Sequence, residues 1–586
     1  MKENCFKSNK CFRSILILIL LLFSIFWELL FGLKNSLSAF YFFFFVLSVF
    51  GGALLYKNFV ESKFILVTLP FSLFFSFSIY LANRDFLPFS MSLENICRWV
   101  ITFAGSMIVF YLASFTVLHV NLINCKRENI PKASVVSFFI IPFLGMCLVD
   151  IFVLVFCCFP GNVDPDSVNV LKQVYEEAPL SNHHPFVYTL LLKKVVFLTD
   201  LFFHDLNYGV MVFLIIQIIC ISLVFAFSII SLFRMGINKV LLKILVFMSI
   251  CWPQNINYSI TVGKDPLFAS FVLLFVTTFL RINKRIGKMF LNYFFFVISI
   301  MGLCYLRSNG AFICLGMIFV AILLFLKENR KFCAIFVISF FISVISKNTV
   351  IKINDIQKPD TIEALAVPTQ QIARVIARGN GLKSEEKDLL SAIVDIDKVP
   401  DAYNSFWVDF VKDLVRKKGN QDYLREQKVE YIKMYLSLGL RNPSEYIKAW
   451  IDETSGYYVP QESFGLWYEG VENNNWGYAR KLSKSNFRNI YLKYVSLINN
   501  NLGLRVYLCI AFLVWLSNML LIKAMVRSNK AAILCGSYCV FLILSLLISA
   551  PLNASYRYVY SLACVLPFVL FVSLDTFCLE KSDNNV

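Results

Sequence analysis

Charge is scarce in this 586-residue chain: Asp, Glu, Lys and Arg make up 16% of it, against 58% hydrophobic residues and a mean hydropathy of +0.68. A soluble domain so composed could not cover its surface with polar groups, so a membrane protein is implied. The 23 Gly and 17 Pro are too few for collagen-like or low-complexity chains, and 61 Phe with 26 Tyr exclude disorder. Histidine is rarer still. His119, His183, His184 and His204 are too few and too spread for a His-based metal cage. The 17 Cys sit in apolar stretches such as Cys157-Cys158, and none falls between residues 334 and 508, so no disulfide framework or zinc ribbon is implied. Internal repeats are lacking too.

What the chain has is long apolar runs. A helix crossing roughly 30 Å of hydrocarbon needs about 20 apolar residues. Fourteen segments qualify, near 14–33, 36–56, 64–82, 98–119, 135–159, 208–233, 240–259, 266–281, 289–306, 310–326, 332–347, 504–522, 531–549 and 556–577. The first follows a basic head, but it extends through Trp27 and Glu28 without a small-residue cleavage pattern and reads as a span, not a signal peptide.

The net charge of +17 would point to nucleic acid in a soluble protein; here the basic residues mark loops. With the N-terminus inside, inner connections carry 23 Lys and Arg and short outer ones nine, which satisfies the positive-inside bias. This alternation requires that Pro185 to His204 not cross, and the mid-helix pair Lys193-Lys194 agrees, because two ammonium groups at bilayer depth are costly. That stretch is expected to lie along the outer interface as an amphipathic helix. The expected fold is an all-α polytopic membrane protein with about 14 transmembrane helices. Four lie in 1–134, a core in 135–347 includes a first outer loop at 160–207, an extracytoplasmic, mainly helical domain fills 348–503, and further helices with a short cytoplasmic tail occupy 504–586. In the helical domain Asn442 is expected to cap a helix with Pro443 at its first position, running to Thr454. Both termini are placed in the cytoplasm and the protein in the plasma membrane.

Unusual polar residues gather on the outer face. The first outer loop reads Pro160-Gly161-Asn162-Val163-Asp164-Pro165-Asp166-Ser167, then Ser181-Asn182-His183-His184-Pro185. Other outer ends carry Gly263-Lys264-Asp265-Pro266, Arg307-Ser308-Asn309-Gly310 and Tyr556-Arg557-Tyr558, and the helical domain opens with Pro368-Thr369-Gln370-Gln371 and Arg374. A cation at an outer span end opposes the usual bias, so its desolvation needs a partner or ligand. Lys264, Arg307 and Arg557 come from three spans; converging with Asp164, Asp166 and Asp265, they would make a phosphate pocket beside a general base. Plainer readings exist. Asp164 to Ser167 also reads as a turn and helix N-cap, His183 and His184 as caps before Pro185, Lys264-Asp265 as a local ion pair, Arg307 and Arg557 as snorkelling side chains. The aromatics Phe464, Trp467, Tyr468, Trp476 and Tyr478 read as packing more readily than as a sugar platform.

The order of an apolar span, an acidic outer loop and His-Pro before an amphipathic helix resembles the C-class integral-membrane glycosyltransferases, which include protein O-mannosyltransferases and bacterial lipid-linked sugar transferases. A closer likeness is to a bacterial branch of uncharacterised polytopic proteins, carried by Pro160-Gly161, Asp166-Ser167, His183-His184-Pro185, Lys264-Asp265, Arg307-Ser308-Asn309-Gly310 and Arg557-Tyr558. It covers roughly residues 135 to 578. Many C-class enzymes have Asp-Glu in the first outer loop where this chain has Asp164-Pro165-Asp166.

The resemblance implies transfer of a sugar from a polyprenyl phosphate donor to a cell-surface glycan, lipid or protein acceptor at the outer face, and a single in-line displacement by the acceptor predicts inversion. It gives Asp166, or Asp164, the role of base, with His184 orienting, and the donor phosphate to Lys264, Arg307 and Arg557. His183, Asp265 and Asn309 would contact substrate, and Gln370, Gln371 and Arg374 are close enough in sequence to the last core span to reach inward and do the same. No motif requires a cofactor or metal, although phosphate and carboxylates could share a divalent cation. The rival readings are an O-antigen-type polymerase or ligase, and a lipid-linked sugar flippase without bond chemistry. Against transport, polar residues avoid mid-membrane positions, Asp150 excepted, and no pair of broken helices is legible.

Overall fold

The computed structural model describes residues 38–55, 60–82, 93–120, 132–379, 381–461, 463, 469–480, 485–549 and 552–574. Three helices open it, α1 (Ser38–Leu55), α2 (Ser62–Ala82) and α3 (Leu93–His119). Next come α4 (Lys132–Phe152), which ends in a π turn at Val153–Cys157, α5 (Pro165–Val174), α6 (Phe186–Phe203) and α7 (Leu206–Arg234). The core continues with α8 (Lys239–Cys251), α9 (Pro253–Ser259), α10 (Lys264–Asn283), α11 (Met289–Leu306), α12 (Ser308–Phe325) and α13 (Arg330–Ile353). Then follow α14 (Ala366–Ala377), α15 (Ser384–Ser391), α16 (Val399–Ala402), α17 (Asp409–Lys418), α18 (Gln421–Glu426), α19 (Lys428–Arg441) and α20 (Pro443–Thr454). The last are α21 (Asn486–Asn500), α22 (Leu502–Arg505), α23 (Ile510–Val526), α24 (Lys530–Ser549) and α25 (Tyr560–Ser573). Among the described residues β pairing is confined to isolated bridges.

The protein is an all-α polytopic membrane protein. Nine described helices are long and apolar enough to cross a bilayer, ten if α8 and α9 form one span. Helices α1, α23 and α25 are shorter apolar helices, and the expected segment 14–33 lies outside the described residues. Large side chains such as Leu66, Phe247, Phe319 and Leu323 stay exposed along these helices, as a lipid-facing surface requires. Helix α6, with its two lysines, is not among the candidate spans.

The structure departs from the sequence reading at 240–259. There the chain bends by 48° between α8 and α9, so that segment is not one straight helix but a broken span or a re-entrant loop. Pro253 is the cause: at the first position of α9 it has no amide hydrogen to give, and it drives Trp252 into an extended conformation (ψ 119°). A second correction concerns Asn442, whose side chain donates back to the Leu438 carbonyl (3.1 Å) and does not cap α20, although Pro443 does start it.

The N-terminal helices dock on α23 through Trp515, fully buried and edge-on to Phe75 (5.1 Å) and Phe110 (5.3 Å). Residues 362–446 enclose a separate apolar core that includes Ile372, Val375, Val411 and Leu438. This helical domain is tied to the bundle through Trp450, whose Nε1 donates to the Leu547 carbonyl (2.8 Å), and by backbone pairing of Asn182 with Gln357 (2.8 Å).

Candidate functional site

The site is assembled by a loop that cannot stand alone. Residues 160–164 run from α4 to α5, and Gly161 turns there with φ +126°; a Cβ on it would sit 2.1 Å from a Leu214 methyl. Asn162 then pairs in parallel with the segment before α10: its N–H donates to the Ile260 carbonyl (2.9 Å), and the Val262 N–H donates to its carbonyl (2.9 Å). Gln217 on α7 fixes that segment from behind, donating to the carbonyls of Ser259 (3.0 Å) and Thr261 (3.1 Å). On the other side Val163 exchanges backbone hydrogen bonds with Gly470 and Glu472, and Arg480 Nη2 donates to Asn162 Oδ1 (2.6 Å). This clamp carries Asp164 and Asp166 to the start of α10, where Lys264 and Asp265 lie.

Asp164 is the N-cap of α5: its Oδ1 accepts the Ser167 N–H (2.7 Å), and its own N–H donates to Ser167 Oγ (3.2 Å). Burial, then the Asp166 charge, pushes its pKa up. Asp166 points elsewhere, accepting from Arg557 Nη1 at 2.5 Å with its side chain 44% exposed. Burial works to raise its pKa, but the Arg557 guanidinium, with Lys264, outweighs that and holds the carboxyl well below the usual carboxylate range.

Arg307 bridges α11 and α12 in extended conformation, 6% exposed, with Nε 3.0 Å from Asp265 Oδ1. Its neighbour Gly310 is required by packing, since a Cβ there would meet the Leu303 carbonyl oxygen at 2.0 Å. Asn309 faces α24, donating to Ser545 Oγ (3.0 Å). The ring of Tyr558 lies between two cations: Arg307 Cζ and Arg557 Cζ are each 5.0 Å from its centre.

Lys264 and His184 at this end leave polar atoms without a partner among the described residues. Lys264 has no hydrogen-bond or ion-pair partner among the described residues, Asp265 being paired with Arg307. His184, 4% exposed, has a buried Nε2 without a partner. Its pKa is pushed down by burial first and Lys264 second, so the ring is neutral. His183 stacks edge-on against it (4.7 Å) and is lowered by burial and the same lysine, with Arg416 and Lys412 of the helical domain adding to the effect.

Asp164, Asp166, His183, His184, Lys264, Asp265, Arg307 and Arg557 therefore gather at one end of the bundle. Gln370, Gln371 and Arg374 are engaged within the helical domain. Gln370 donates to the Asn404 carbonyl (2.6 Å), Gln371 to that of Tyr446 (3.1 Å), and Arg374 pairs with Glu445 and Asp452, both at 2.8 Å. Asn553 is buried and accepts from the Gly456 N–H (2.8 Å). Trp476 stacks on Tyr175 (5.1 Å), whereas Phe464, Trp467 and Tyr468 lie outside the described residues.

Residues that sequence reasoning passed over complete the surroundings. Tyr258 stacks on Tyr560 (4.2 Å) with its buried hydroxyl unpartnered. Tyr556 and Tyr560 flank Arg557 and Tyr558, and both line an apolar cavity of about 260 Å³ between α7, α8 and α25. Gln254 also lines it, with neither of its buried amide atoms partnered. In the helical domain Glu453 is fully buried with both carboxylate oxygens unpartnered; burial pushes its pKa up to about 8, Lys412 pulling it down and Asp409 adding to the rise. Among the described residues no three His, Cys, Asp or Glu side chains are placed to hold a metal ion.

The arrangement is chemically an acid-and-cation cluster: a carboxylate, a neutral imidazole, an ammonium without an ion-pair partner among the described residues and two guanidiniums, with Tyr556 and Tyr560 leading to the apolar cavity. No curated protein and no solved structure matches the chain. A family model matches residues 175–584, a range that holds every gathered residue except Asp164 and Asp166, and the chain belongs to that family, DUF6020, a family of unknown function.

Proposed function

We propose that this protein is a membrane glycosyltransferase that moves a sugar from a polyprenyl phosphate donor to a cell-surface acceptor at the extracytoplasmic face. The observation that carries the reading is the unpaired Lys264 ammonium and the free His184 Nε2 beside the Asp166–Arg557 pair, next to an apolar cavity. Unpaired buried polar groups are costly without a ligand, and a lipid-linked phosphate supplies one. Its phosphate meets Lys264 and Arg557, and its apolar chain enters the cavity between α7, α8 and α25. The proposal includes fourteen crossings, cytoplasmic termini, a C-class core and residence in the plasma membrane.

In the proposed reaction an acceptor hydroxyl attacks the anomeric carbon. The new bond forms as the bond from that carbon to the phosphate oxygen breaks, and the leaving phosphate keeps the electron pair. Lys264 and Arg557 stabilise its growing charge. Asp166 takes the hydroxyl proton. A guanidinium-paired carboxylate is a weak base, but a bound phosphate offsets the cations that depress Asp166 and His184 and so restores their basicity. One displacement inverts the anomeric centre.

The test is linkage and mass analysis of surface glycopolymers from cells with and without the gene. A missing single-sugar substituent is expected; shortened chains would instead assign a polymerase, and unchanged polymers would refute the reading.

A further inference from the structure

At the opposite end of the same three helices, α7, α10 and α11, two arginines share one space. Arg281 ends α10 with 6% exposure, yet its fixed partners are neutral: Nε donates to Asn292 Oδ1 (2.8 Å) and Nη1 to Ser231 Oγ (3.1 Å), while the Phe227 ring lies 4.8 Å from Cζ. Arg234 ends α7 beside it. Gly287 leaves room for both, because a Cβ there would sit 2.5 Å from Arg281 Nη2 and 3.9 Å from Arg234 Nη1. Neither guanidinium has an acidic partner among the described residues. A buried cation held by neutral groups and facing a like charge is unfavourable unless an anion joins it. The donor geometry selects the anion: guanidinium edges pair with tetrahedral oxyanions through parallel N–H···O bonds.

We propose that Arg234 and Arg281 form a binding site for an anionic phosphate group, supplied by a lipid headgroup at the membrane surface. The site is remote from the pocket at Asp166 and does not depend on the reaction proposed there. Arg281 is built in: Asn292 and Ser231 orient it before any ligand arrives, which distinguishes it from the exposed basic residues that merely set orientation.

The experiment is native mass spectrometry of the full-length protein in detergent, titrated with dioleoylphosphatidylglycerol, with dioleoylphosphatidylcholine, and with inorganic phosphate. Phosphatidylglycerol should bind at least about tenfold more tightly than phosphatidylcholine, and Arg234→Gln should remove that preference. Lys243→Gln, an exposed cation on the neighbouring helix, should leave it intact. Because Arg281→Gln leaves Asn292 and Ser231 without their partner and threatens folding, the exposed member of the pair, Arg234, carries the test. Displacement of the lipid by millimolar phosphate, lost in Arg234→Gln, would assign the free ion as the source of the same group. Equal phosphatidylglycerol binding by the wild type and Arg234→Gln, or no preference over phosphatidylcholine, would overturn the site.

Discussion

Arg557 reaches back across 391 residues of chain to place Nη1 2.5 Å from Asp166 Oδ2. The contact joins the turn before α25 to the first turn of α5. Each group also constrains the other chemically. The guanidinium keeps the carboxyl ionised, and the carboxylate, with the Tyr558 ring, fixes the guanidinium.

Replacing Asp166 by Asn keeps the shape and an acceptor oxygen for Arg557 but removes the proton acceptor. Sugar transfer should fall by about 10²–10⁴-fold, the usual worth of a positioned base. Abundance and membrane insertion should hold, since the side chain is 44% exposed and the surrounding clamp is untouched. Activity is read by transfer from a labelled lipid-linked donor in membranes; near-normal transfer removes the general-base assignment.

Lys264 and Arg307 should separate in their effects although both were drawn from the same sequence logic. Lys264→Gln breaks no ion pair and should lower kcat/KM for the donor by about 10²–10³-fold, the cost of losing one electrostatic contact to a departing oxyanion, with little change in Tm. Arg307→Ala leaves Asp265 without its partner inside the protein and should destabilise by about 3–5 kcal/mol, donor and acceptor use falling together. The double variant Arg307→Ala/Asp265→Asn should recover part of the lost Tm. Unaltered thermal unfolding of Arg307→Ala in detergent would show that the pair is not structural.

The contrast shows what the sequence could and could not carry. Spans such as Met289–Leu306 were legible because the length of an apolar run is set by bilayer thickness, a local property. That Asp166, Lys264, Arg307 and Arg557 share one end face of the bundle was legible in the same way. Pairing within that face was not: adjacency argued for Lys264 with Asp265, whereas the helix start directs Asp265 to Arg307 and leaves the lysine open. Proximity in sequence to the last core span argued that Gln370, Gln371 and Arg374 reach the pocket; the apolar face of α14 instead turns them into the helical domain, where Tyr446, Glu445 and Asp452 meet them. The break at Trp252-Pro253 carried a readable signal, a proline inside an apolar run, masked by the unbroken hydropathy on both sides.

His184 should make the fold acid-sensitive. Burial and Lys264 keep the ring neutral in the folded protein, while the unfolded chain binds a proton near pH 6.5. Below that pH the unfolded state holds more protons, so stability falls as pH drops through about 6.5 and toward the depressed folded value. His184→Gln should flatten this slope in thermal unfolding between pH 7 and pH 5. A phosphate-bearing ligand should flatten it too, because its charge lets the imidazole protonate in the folded state.

Glu453 should act with the opposite sign. Its folded pKa is pushed up to about 8 by burial without a hydrogen-bond partner, while the unfolded carboxyl titrates near 4.5, so between these values the folded state holds the extra proton. Stability contributed by the neutral acid is present below about pH 4.5 and is lost as pH rises toward 8. The change is centred in the helical domain, where Lys412 is already committed to Glu363 (3.1 Å) and Asp409 (2.7 Å) and cannot neutralise the carboxylate fully. Glu453→Gln removes the titration and should raise Tm relative to wild type progressively from pH 5 to pH 9, with the two proteins alike at the acid end. A wild-type Tm that rises over this range relative to the variant would mean that the carboxylate is ionised and paired in the folded protein, and the burial argument for Glu453 would fail.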